Sequence, residues 1–432
     1  MVAKKILLLN VHSSMNLGDE ALLRSALRQL QVNFPESQIT LSINEPASHT
    51  GPERGLPSIY SWVHPIDSRG RTGWKPARLF WLIPATLIPV LSQRWFKRAC
   101  FWLTPGDLVP VLTETLHADL VVGTPGGYLF SSGWGLSLLI VIYSMLLAVL
   151  AKKPLYLLPQ SIGPLHHHWE VWLLRRLLNQ ARIVMVREPE SLKLVQACRV
   201  SNPRVFLIPD IAFTLPAATP TEADAWLRAL GINPQNGKPR LGITIVNWGA
   251  QNKRFTRQEA YEQACAAAAR WFVEHTAGQV IIFPQVYGPT QDQDDRIPAR
   301  RVAARLQDVA GAIYTVVEPL PMHLLKAVYG RLDAFIGTRM HSNIFALSQG
   351  VPVIAIGYQH KTLGIASMVG LREWVIDIQQ VDRDGLVDRL AALWEQRVEL
   401  STQLRPKIAQ IAHQSEQAGV MVNQDYTLLS QG

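Results

Sequence analysis

The sequence RLDAFIGTRMHSNIFALSQGVPVIAIGYQHKTLGIASMVGL spans residues 331–371 and predicts a strand, a helix and a second strand. The apolar run at 334–336 is broken at Gly337, the helical pattern that follows ends at Gly350, and residues 352–356 form a second apolar run. Continuous apolar strands joined by a helix are typical of a parallel sheet that is covered on both faces. This stretch therefore indicates an α/β fold.

Three cationic side chains follow the two predicted strands. Arg339 and His341 come after the first strand, at the start of the helix, and Lys361 comes after the second. Open parallel sheets bind ligands at the carboxyl ends of their strands, and a helix N-terminus at that edge favours anions. An Arg and a His at a helix start are more often structural in an arbitrary protein, but the third cation favours function. We expect a pocket for a phosphorylated or carboxylated small molecule.

The 432-residue chain is too long for one ordinary core, so we expect two domains. Strand and helix patterns, including a predicted strand at 59–66, alternate in two series that a Pro-, Gly- and Asn-rich segment separates. The predicted parts are an N-terminal Rossmann-like domain at 1–215, a linker at 216–240, a C-terminal Rossmann-like domain at 241–385 and terminal helices at 386–432. We expect two doubly wound domains that face each other across a cleft.

Charge and cysteine usage restrict the partners and the compartment. The net charge is +9, but the Lys and Arg residues are spread along the chain without a nucleic-acid motif, so we expect no nucleic-acid partner. Cys100, Cys198 and Cys265 are widely spaced, form no metal-ligand pattern and fit a reducing compartment. The N-terminal apolar run is too short for a signal peptide and lacks a cleavage site, which predicts a cytoplasmic protein.

Two longer apolar stretches bear on membrane contact. Residues 79–103 combine Trp, Phe and Leu with Arg94, Lys97 and Arg98, which is typical of a segment in the interface of an anionic membrane. An ordinary buried helix with a polar edge is an equally good interpretation. Residues 135–151 are short for a span and precede another strand, so we expect a buried crossover helix. We predict no transmembrane segment, and we hypothesise contact with the inner face of the cytoplasmic membrane.

The loop after the first strand carries a second group of candidates, Asn16, Gly18, Asp19 and Glu20, directly before an amphipathic helix. Acidic residues in the first turn stabilise the helix dipole, which is one interpretation of Asp19 and Glu20. The other is that a carboxylate at the sheet edge orients a sugar hydroxyl or removes its proton. Asp19 is the first candidate for this base and Glu20 is the second.

Four residues of the first half also follow predicted strands and are candidates for lining the cleft: Gly126, Gly127, Gln160 and Ser161. A Gly-Gly turn lets the backbone approach a ligand, although by itself it is weak evidence. Arg187 follows another predicted strand and is a second candidate anion ligand. The alternative is that Arg187 only forms an ion pair with Glu188 or Glu190 at a helix start.

Taken together, these motifs resemble the polysaccharide pyruvyl transferase family. The matching pieces are NLGDE at 16–20, the turn at 123–127, PQSIGP at 159–164, Arg187-Glu188 with Ser191, Pro209-Asp210, and Arg339-Met340-His341 with Tyr358 and Lys361. The resemblance implies a fold like that of the two-domain nucleotide-sugar glycosyltransferases. It also implies transfer of pyruvate from phosphoenolpyruvate onto two sugar hydroxyls, which gives a cyclic ketal. In this family Arg339 and Arg187 would hold the donor's phosphate and carboxylate, with Lys361 as a further cationic contact. His341 would be the acid.

The chemistry of phosphoenolpyruvate requires similar residues independently. Its carboxylate and phosphate need separate cations, which arginines supply with bidentate geometry. A histidine, with an unperturbed pKa of ~6.5, can protonate the vinyl carbon at neutral pH. We expect no metal and no cofactor beyond phosphoenolpyruvate as co-substrate, and a sugar or lipid-linked glycan as acceptor.

Two other function classes remain. One is a nucleotide-sugar-dependent glycosyltransferase or epimerase of the same fold. Such enzymes place an acidic residue after the equivalent strand to bind the ribose, whereas this chain has Gln359, His360 and Lys361. The other is a non-catalytic binding protein of glycan assembly, which Asp19 and His341 disfavour.

Overall fold

The structure is a computed structural model, and it describes residues 3–49, 51–65, 73–131, 133, 135–358 and 360–431, except for the side chains of His360 and Lys361. The chain divides into two compact units. Unit 1 consists of Met1–Ser14, Leu22–Ile211 and Gln414–Gly432. Unit 2 consists of Met15–Ala21 and Ala212–His413. The short segment Met15–Ala21, which follows the first strand, thus belongs to unit 2.

Unit 1 is built around a parallel sheet with helices before and after most strands. Its elements are β1 (Lys5–Val11), α1 (Leu17–Asn33, whose first residues belong to unit 2), β2 (Gln38–Ile43), β3 (Arg54–Pro57), α2 (Ile59–Val63), α3 (Pro76–Phe96), α4 (Val109–His117), β4 (Leu120–Gly123), β5 (Gly126–Leu129), α5 (Leu136–Leu150), β6 (Leu155–Ile162), α6 (His168–Gln180), β7 (Ile183–Val186), α7 (Pro189–Ala197) and β8 (Val205–Leu207). The sheet order is β3-β2-β1-β4-β6-β7-β8, with β5 beside β6. All of these pairs are parallel.

Unit 2 has a smaller sheet of the same kind. Its elements are α8 (Pro220–Ala229), β9 (Arg240–Thr244), α9 (Trp248–Gln251), α10 (Gln258–Thr276), β10 (Gln279–Ile282), α11 (Arg296–Ala304), β11 (Ile313–Thr315), α12 (Met322–Tyr329), β12 (Ala334–Gly337), α13 (Met340–Ser348), β13 (Val353–Gly357), α14 (His360–Val369), β14 (Val375–Asp377) and α15 (Arg383–Gln431, which continues into unit 1). The order β11-β10-β9-β12-β13-β14 is parallel throughout. The predicted α/β class with two doubly wound sheets is confirmed.

The strand order of unit 2 reverses between β9 and β12. From β9 the chain proceeds to β10 and β11 on one side, then returns to β12 and proceeds to β13 and β14 on the other. In open parallel sheets, ligands bind outside the carboxyl ends of the strands at such a point. The residues that follow β9 and β12 therefore define where a site in unit 2 is expected.

Several predicted elements differ from the observed ones. The run at 59–66, predicted as a strand, begins with the helix α2, and the third strand β3 precedes it. The terminal helices predicted at 386–432 are the single helix α15.

The apolar stretch at 135–151 forms α5, as predicted for a crossover helix. Leu138, Ile142 and Met145 of α5 are fully buried in the core of unit 1. Among the described helices, none is both long and apolar enough to cross a membrane.

Candidate functional site

Buried hydroxyl groups hold the end of β12. The Thr338 hydroxyl lies 2.6 Å from that of Tyr261, and the Thr338 N–H donates to Oγ1 of Thr244 at 3.2 Å. In the first turn of α13, the Ser342 hydroxyl donates to the carbonyl of Arg339 at 2.6 Å. Because these polar groups are paired with one another, the backbone that carries Arg339 has a defined course.

Arg339 forms a bidentate ion pair with Asp295. Its Nε and Nη2 atoms donate to the two carboxylate oxygens at 3.0 and 2.6 Å. The Arg339 side chain is 12% exposed and the Asp295 side chain is fully buried. Burial by itself would lower the pKa of the Arg339 guanidinium, but the adjacent carboxylate more than offsets this and raises the pKa above its usual range. Arg339 is thus a permanent cation in one orientation, with Nη1 outside this pair.

Asp295 also binds the loop that follows β10. Its Oδ2 atom accepts the backbone N–H groups of Gln285 at 3.2 Å and of Val286 at 3.0 Å. The Gln285 side chain is buried, and its amide atoms have no hydrogen-bond partner within the described ranges. A buried amide in this position is a candidate for a polar ligand contact.

The segment Met15–Ala21 lies against the same loop. The backbone of Asn16 forms an antiparallel bridge with Val286. The Leu17 N–H donates to the Gln285 carbonyl at 3.0 Å. The NLGDE motif, although it follows the first strand of unit 1, is therefore part of the site in unit 2.

Gly18 and His341 are in direct contact. A Cβ atom on Gly18 would lie 2.2 Å from Nδ1 and 2.6 Å from Cγ of His341, so glycine is needed for the imidazole to occupy this position. The Gly18 N–H donates to Oδ1 of Asn16 at 3.0 Å. Nδ2 of Asn16 donates to Oδ2 of Asp19 at 2.9 Å. Asn16 therefore orients the Asp19 carboxylate in the turn that packs on the imidazole.

Six predicted site residues thus lie together in unit 2, and with Asp295 we call them the unit 2 cluster: Asn16, Gly18, Asp19, Glu20, Arg339 and His341. Lys361 is in the first turn of α14, and its side chain lies outside the described residues, so its donor contact stays a prediction.

Two aromatic side chains border the cluster. Trp248 follows β9 and Tyr358 follows β13, and their ring centroids are 4.4 Å apart. Tyr358 lies near Arg339 and contributes to the raised pKa of its guanidinium. The carboxyl ends of β9, β12 and β13 therefore supply side chains to the same place.

Arg187 lies in the interior of unit 1 and is 1% exposed. Its Nη1 donates to Oδ2 of Asp210 and its Nε donates to the Ser161 hydroxyl, both at 2.6 Å. The Glu188 carboxylate lies 3.5 Å from the guanidinium and accepts hydrogen bonds from Ser161 and Ser191. These five residues form one buried network, which engages Nη1 and Nε of Arg187. Its assignment to the donor stays a prediction.

The remaining predicted residues lie inside strands and not after them as predicted: Gly126 and Gly127 begin β5, and Gln160 and Ser161 lie in β6. The Gln160 amide is fully buried and donates to the Thr124 carbonyl and, at 3.1 Å, to the Tyr128 hydroxyl. Burial raises the pKa of the Tyr128 hydroxyl, which donates to the same carbonyl at 2.6 Å. Gly126 has a φ of +154° and packs on the Tyr128 ring, and Gly127 is half-buried. Gln160 therefore fixes the backbone directly before β5, and its contact with a ligand stays a prediction.

Sequence analysis missed three side chains of interest. In the sequence, Asp295 looks like an ordinary acidic residue at a helix start beside Arg296. Its partner Arg339 is 44 positions away, so no local pattern identifies the ion pair. Trp248 follows β9, and His12 follows β1 with its ring 5.2 Å from that of Tyr128. For these two, the position directly after a predicted strand was an available signal.

Within the described ranges, no group of three or more His, Cys, Asp or Glu side chains is arranged to hold a metal ion.

A sequence profile of the polysaccharide pyruvyl transferase family matches residues 16–360. The chain belongs to this family. The amylovoran biosynthesis protein AmsJ of Erwinia amylovora is 25% identical over 269 residues, which are 61% of this chain and 64% of AmsJ. The match therefore spans less than two thirds of AmsJ. The predicted resemblance to the pyruvyl transferase family is confirmed.

Solved structures show which fold this pyruvyl transferase family member has. The UDP-GlcNAc 2-epimerase of Neisseria meningitidis, solved with UDP-GlcNAc bound, superposes with a TM-score of 0.55 at 12% identity over 99% of this chain and 100% of that one. Sucrose-phosphate synthase of Thermosynechococcus elongatus gives 0.53 at 14% identity over 98% and 99%. At such identities the similarity shows the fold alone, which is that of the two-domain glycosyltransferases and epimerases.

Proposed function

We propose that this protein transfers pyruvate from phosphoenolpyruvate to two hydroxyls of a sugar in a cell-surface or exopolysaccharide precursor and forms a cyclic pyruvate ketal. The observation that carries the proposal is the unit 2 cluster, in which a fixed arginine, an imidazole and an oriented carboxylate lie at one sheet edge. Membership of the pyruvyl transferase family supports the reaction, and the name of AmsJ supports an exopolysaccharide acceptor.

Arg339 is the proposed primary ligand of the donor. One of its guanidinium nitrogens lies outside the pair with Asp295, and α13 begins at the next residue. An anion there meets charged N–H donors and the positive end of the helix dipole. Lys361 is the proposed cation for the second anionic group of phosphoenolpyruvate.

His341 is the proposed acid. Transfer of its proton to the vinyl CH2 carbon makes a methyl group and leaves the neighbouring carbon electrophilic. A first sugar hydroxyl then forms a C–O bond to that carbon, and its proton passes through the base back to the imidazole, which restores the imidazolium. The bond from this carbon to the phosphate oxygen breaks, and phosphate leaves with its electron pair. The second hydroxyl closes the ketal, and its proton is transferred to the base or the departing phosphate.

Asp19 is the proposed base for these hydroxyls. Its Oδ2 atom is held by Asn16, in the turn that contacts His341. An acid and a base on two segments that are in contact can act on the two carbon–oxygen bonds without a large movement. Glu20 follows in the same helical turn and is the second candidate.

The end of β13 favours an anionic donor over a nucleotide sugar. Tyr358, Gln359, His360 and Lys361 follow this strand, and none of them is an acid that could bind ribose hydroxyls. The similarity to a structure with bound UDP-GlcNAc supports the fold only. The ligand that we propose for this chain is phosphoenolpyruvate and not a nucleotide sugar.

We expect the substitution Gly18→Ala to reduce the rate of pyruvyl transfer by about 10²-fold, because a misplacement of about 1 Å at a reacting group has an effect of this size. The added methyl group would occupy space 2.2 Å from the His341 ring and displace it. Binding of phosphoenolpyruvate should change little, since Arg339 keeps its partner. Phosphate release with a membrane glycan fraction as acceptor measures the rate.

The matched control for Gly18→Ala is Gly311→Ala, also in unit 2, where an added Cβ meets no atom within 4 Å. It should leave the rate unchanged. A Gly18→Ala protein with wild-type activity would show that the position of His341 does not matter and would remove it as the acid.

The proposed donor is tested by the thermal stability of the full chain with phosphoenolpyruvate, with UDP and with neither. A ligand that binds only the native state raises its stability by about 2.7 kcal/mol at 100 times its Kd. We expect a rise in the melting temperature with phosphoenolpyruvate and none with UDP. Inorganic phosphate at the same concentration is the control for general anion binding.

A rise with UDP alone would overturn the proposal and identify a nucleotide-sugar enzyme. Equal rises with phosphate and phosphoenolpyruvate would show an anion site without recognition of the carboxylate. A rise specific to phosphoenolpyruvate justifies an acceptor screen in which the product is identified by mass and by the ketal methyl signal.

A further inference from the structure

One face of unit 1 exposes large apolar side chains on α3 and on the segment that follows it. The most exposed are Phe80 at 89%, Phe96 at 76%, Trp102 at 74% and Trp95 at 66%. Single exposed apolar residues are normal on a protein surface, but a cluster of aromatic side chains marks an interaction site. With the less exposed Trp81 and Ile83 and the cations Arg94, Lys97 and Arg98, we call these residues the aromatic–basic surface.

The opposite side of α3 is part of the core. Leu82, Ala85 and Val90 are buried, so α3 is anchored on one side by unit 1. Because one side of α3 is packed in the core, the helix does not rotate to bury the exposed residues Phe80, Ile83 and Trp95. The aromatic–basic surface is a fixed feature of unit 1.

The chain after α3 returns along the helix and adds to this surface. The Cys100 N–H donates to the Ser92 hydroxyl at 2.8 Å, and the Thr104 hydroxyl donates to the Ala85 carbonyl at 2.7 Å. Near the start of α3, Nε1 of Trp81 donates to the Leu103 carbonyl at 3.0 Å. Trp102, the neighbour of Leu103, is thus held beside the first half of α3.

The charge of this region has one sign. Between Lys75 and Gly106 the sequence has five Lys or Arg residues and no Asp or Glu. One of the five, Arg78, is engaged inside unit 1, since it donates to the Trp62 carbonyl at 2.7 Å and stacks on the Trp62 ring. The three cations at the end of α3, namely Arg94, Lys97 and Arg98, are exposed beside Trp95 and Phe96.

We propose that the aromatic–basic surface docks on the surface of an anionic phospholipid bilayer. Trp and Phe side chains enter the boundary between headgroups and acyl chains, and exposed Lys and Arg side chains contact the anionic headgroups. A second copy of this chain fits less well, because it would place two cationic clusters against each other. The helix interior contains Pro84 and Pro89, and the described helices include none that could span a bilayer, so the contact is with the surface.

This inference does not depend on the proposed pyruvyl transfer. Membrane docking would hold unit 1 at the membrane surface, where a lipid-linked glycan is presented, whatever chemistry the unit 2 cluster performs. The two proposals can therefore fail separately, because one is tested with vesicles and the other with phosphoenolpyruvate.

Flotation of the full chain with vesicles tests the docking. We expect binding to vesicles of phosphatidylglycerol and phosphatidylcholine, weaker binding to pure phosphatidylcholine, and a decrease with salt. The variant Phe80→Ser/Trp95→Ser/Phe96→Ser/Trp102→Ser should lose more than about tenfold in partitioning. The variant Arg94→Gln/Lys97→Gln/Arg98→Gln should lose about fivefold for each cation removed, on anionic vesicles only.

The matched control takes an exposed tryptophan and two exposed arginines from α6, in the variant Trp172→Ser/Arg175→Gln/Arg176→Gln. It should bind vesicles like the wild type. All substituted side chains are exposed, so unchanged melting temperatures confirm that the variants fold.

A wild-type chain that does not float, or an aromatic variant that floats as well as the wild type, overturns the proposal. A concentration-dependent dimer that the aromatic variant loses, without vesicle binding, would instead assign the surface to a second copy.

Discussion

Replacing Arg339 with methionine is expected to lower the free energy of unfolding by about 3–5 kcal/mol and to abolish the stabilisation by phosphoenolpyruvate. Asp295 is fully buried and is paired with this guanidinium at 2.6 Å. Removal of the cation leaves a buried carboxylate without its charge partner, and such a loss is strongly destabilising. Urea unfolding measures the first effect, and the thermal shift with phosphoenolpyruvate measures the second.

The double variant Arg339→Met/Asp295→Asn separates these effects. An asparagine at 295 is neutral and can still accept the backbone N–H groups of Gln285 and Val286. We expect it to regain a large part of the stability lost in Arg339→Met while binding of phosphoenolpyruvate remains lost. If the double variant binds the donor like the wild type, Arg339 has a structural role only.

The control is Arg270→Met, also in unit 2. Arg270 pairs with Asp308 at 2.7 Å, but the side chains are 30% and 54% exposed. Exposed pairs contribute about 0–1 kcal/mol, so this variant should be close to the wild type in both measurements.

The second large effect is expected at Arg187. Arg187→Met should lower the free energy of unfolding by about 3–5 kcal/mol, because the carboxylates of Asp210 and Glu188 are fully buried and Arg187 is the cation between them. The control is Arg54→Met, whose guanidinium is 61% exposed in its pair with Glu114, so its effect should be below about 1 kcal/mol. A fully stable Arg187→Met protein would contradict the buried network.

The variant Arg187→Lys tests whether this residue also binds the donor. Lysine keeps the charge but loses the planar fork that contacts both Asp210 and Ser161. If the folded variant keeps its response to phosphoenolpyruvate, the predicted donor role of Arg187 is wrong. If it folds with near wild-type stability and loses that response, the donor role is confirmed.

Local sequence patterns were sufficient to predict the strands and helices that carry the site. Residues 334–337 and 353–357 are buried strands in the structure, and α13 begins directly after Arg339, as the apolar runs and the helical period predicted. The prediction failed at 59–66 because a short apolar run fits a strand and a buried helix equally well. The Ser58 hydroxyl, which accepts the Ser61 N–H at 3.0 Å and begins α2, was the available helix signal.

The sequence by itself determined the α/β class, the family and the order of the motifs, because these depend on patterns within a few residues of one another. Only the tertiary structure decided that NLGDE belongs to unit 2 beside His341, that Asp295 is the partner of Arg339, and that Arg187 is enclosed by carboxylates. Such pairings join positions far apart in the chain, and burial decides their strength. Neither property can be read from local periodicity, because the same arginine after a strand can face a ligand or a buried acid.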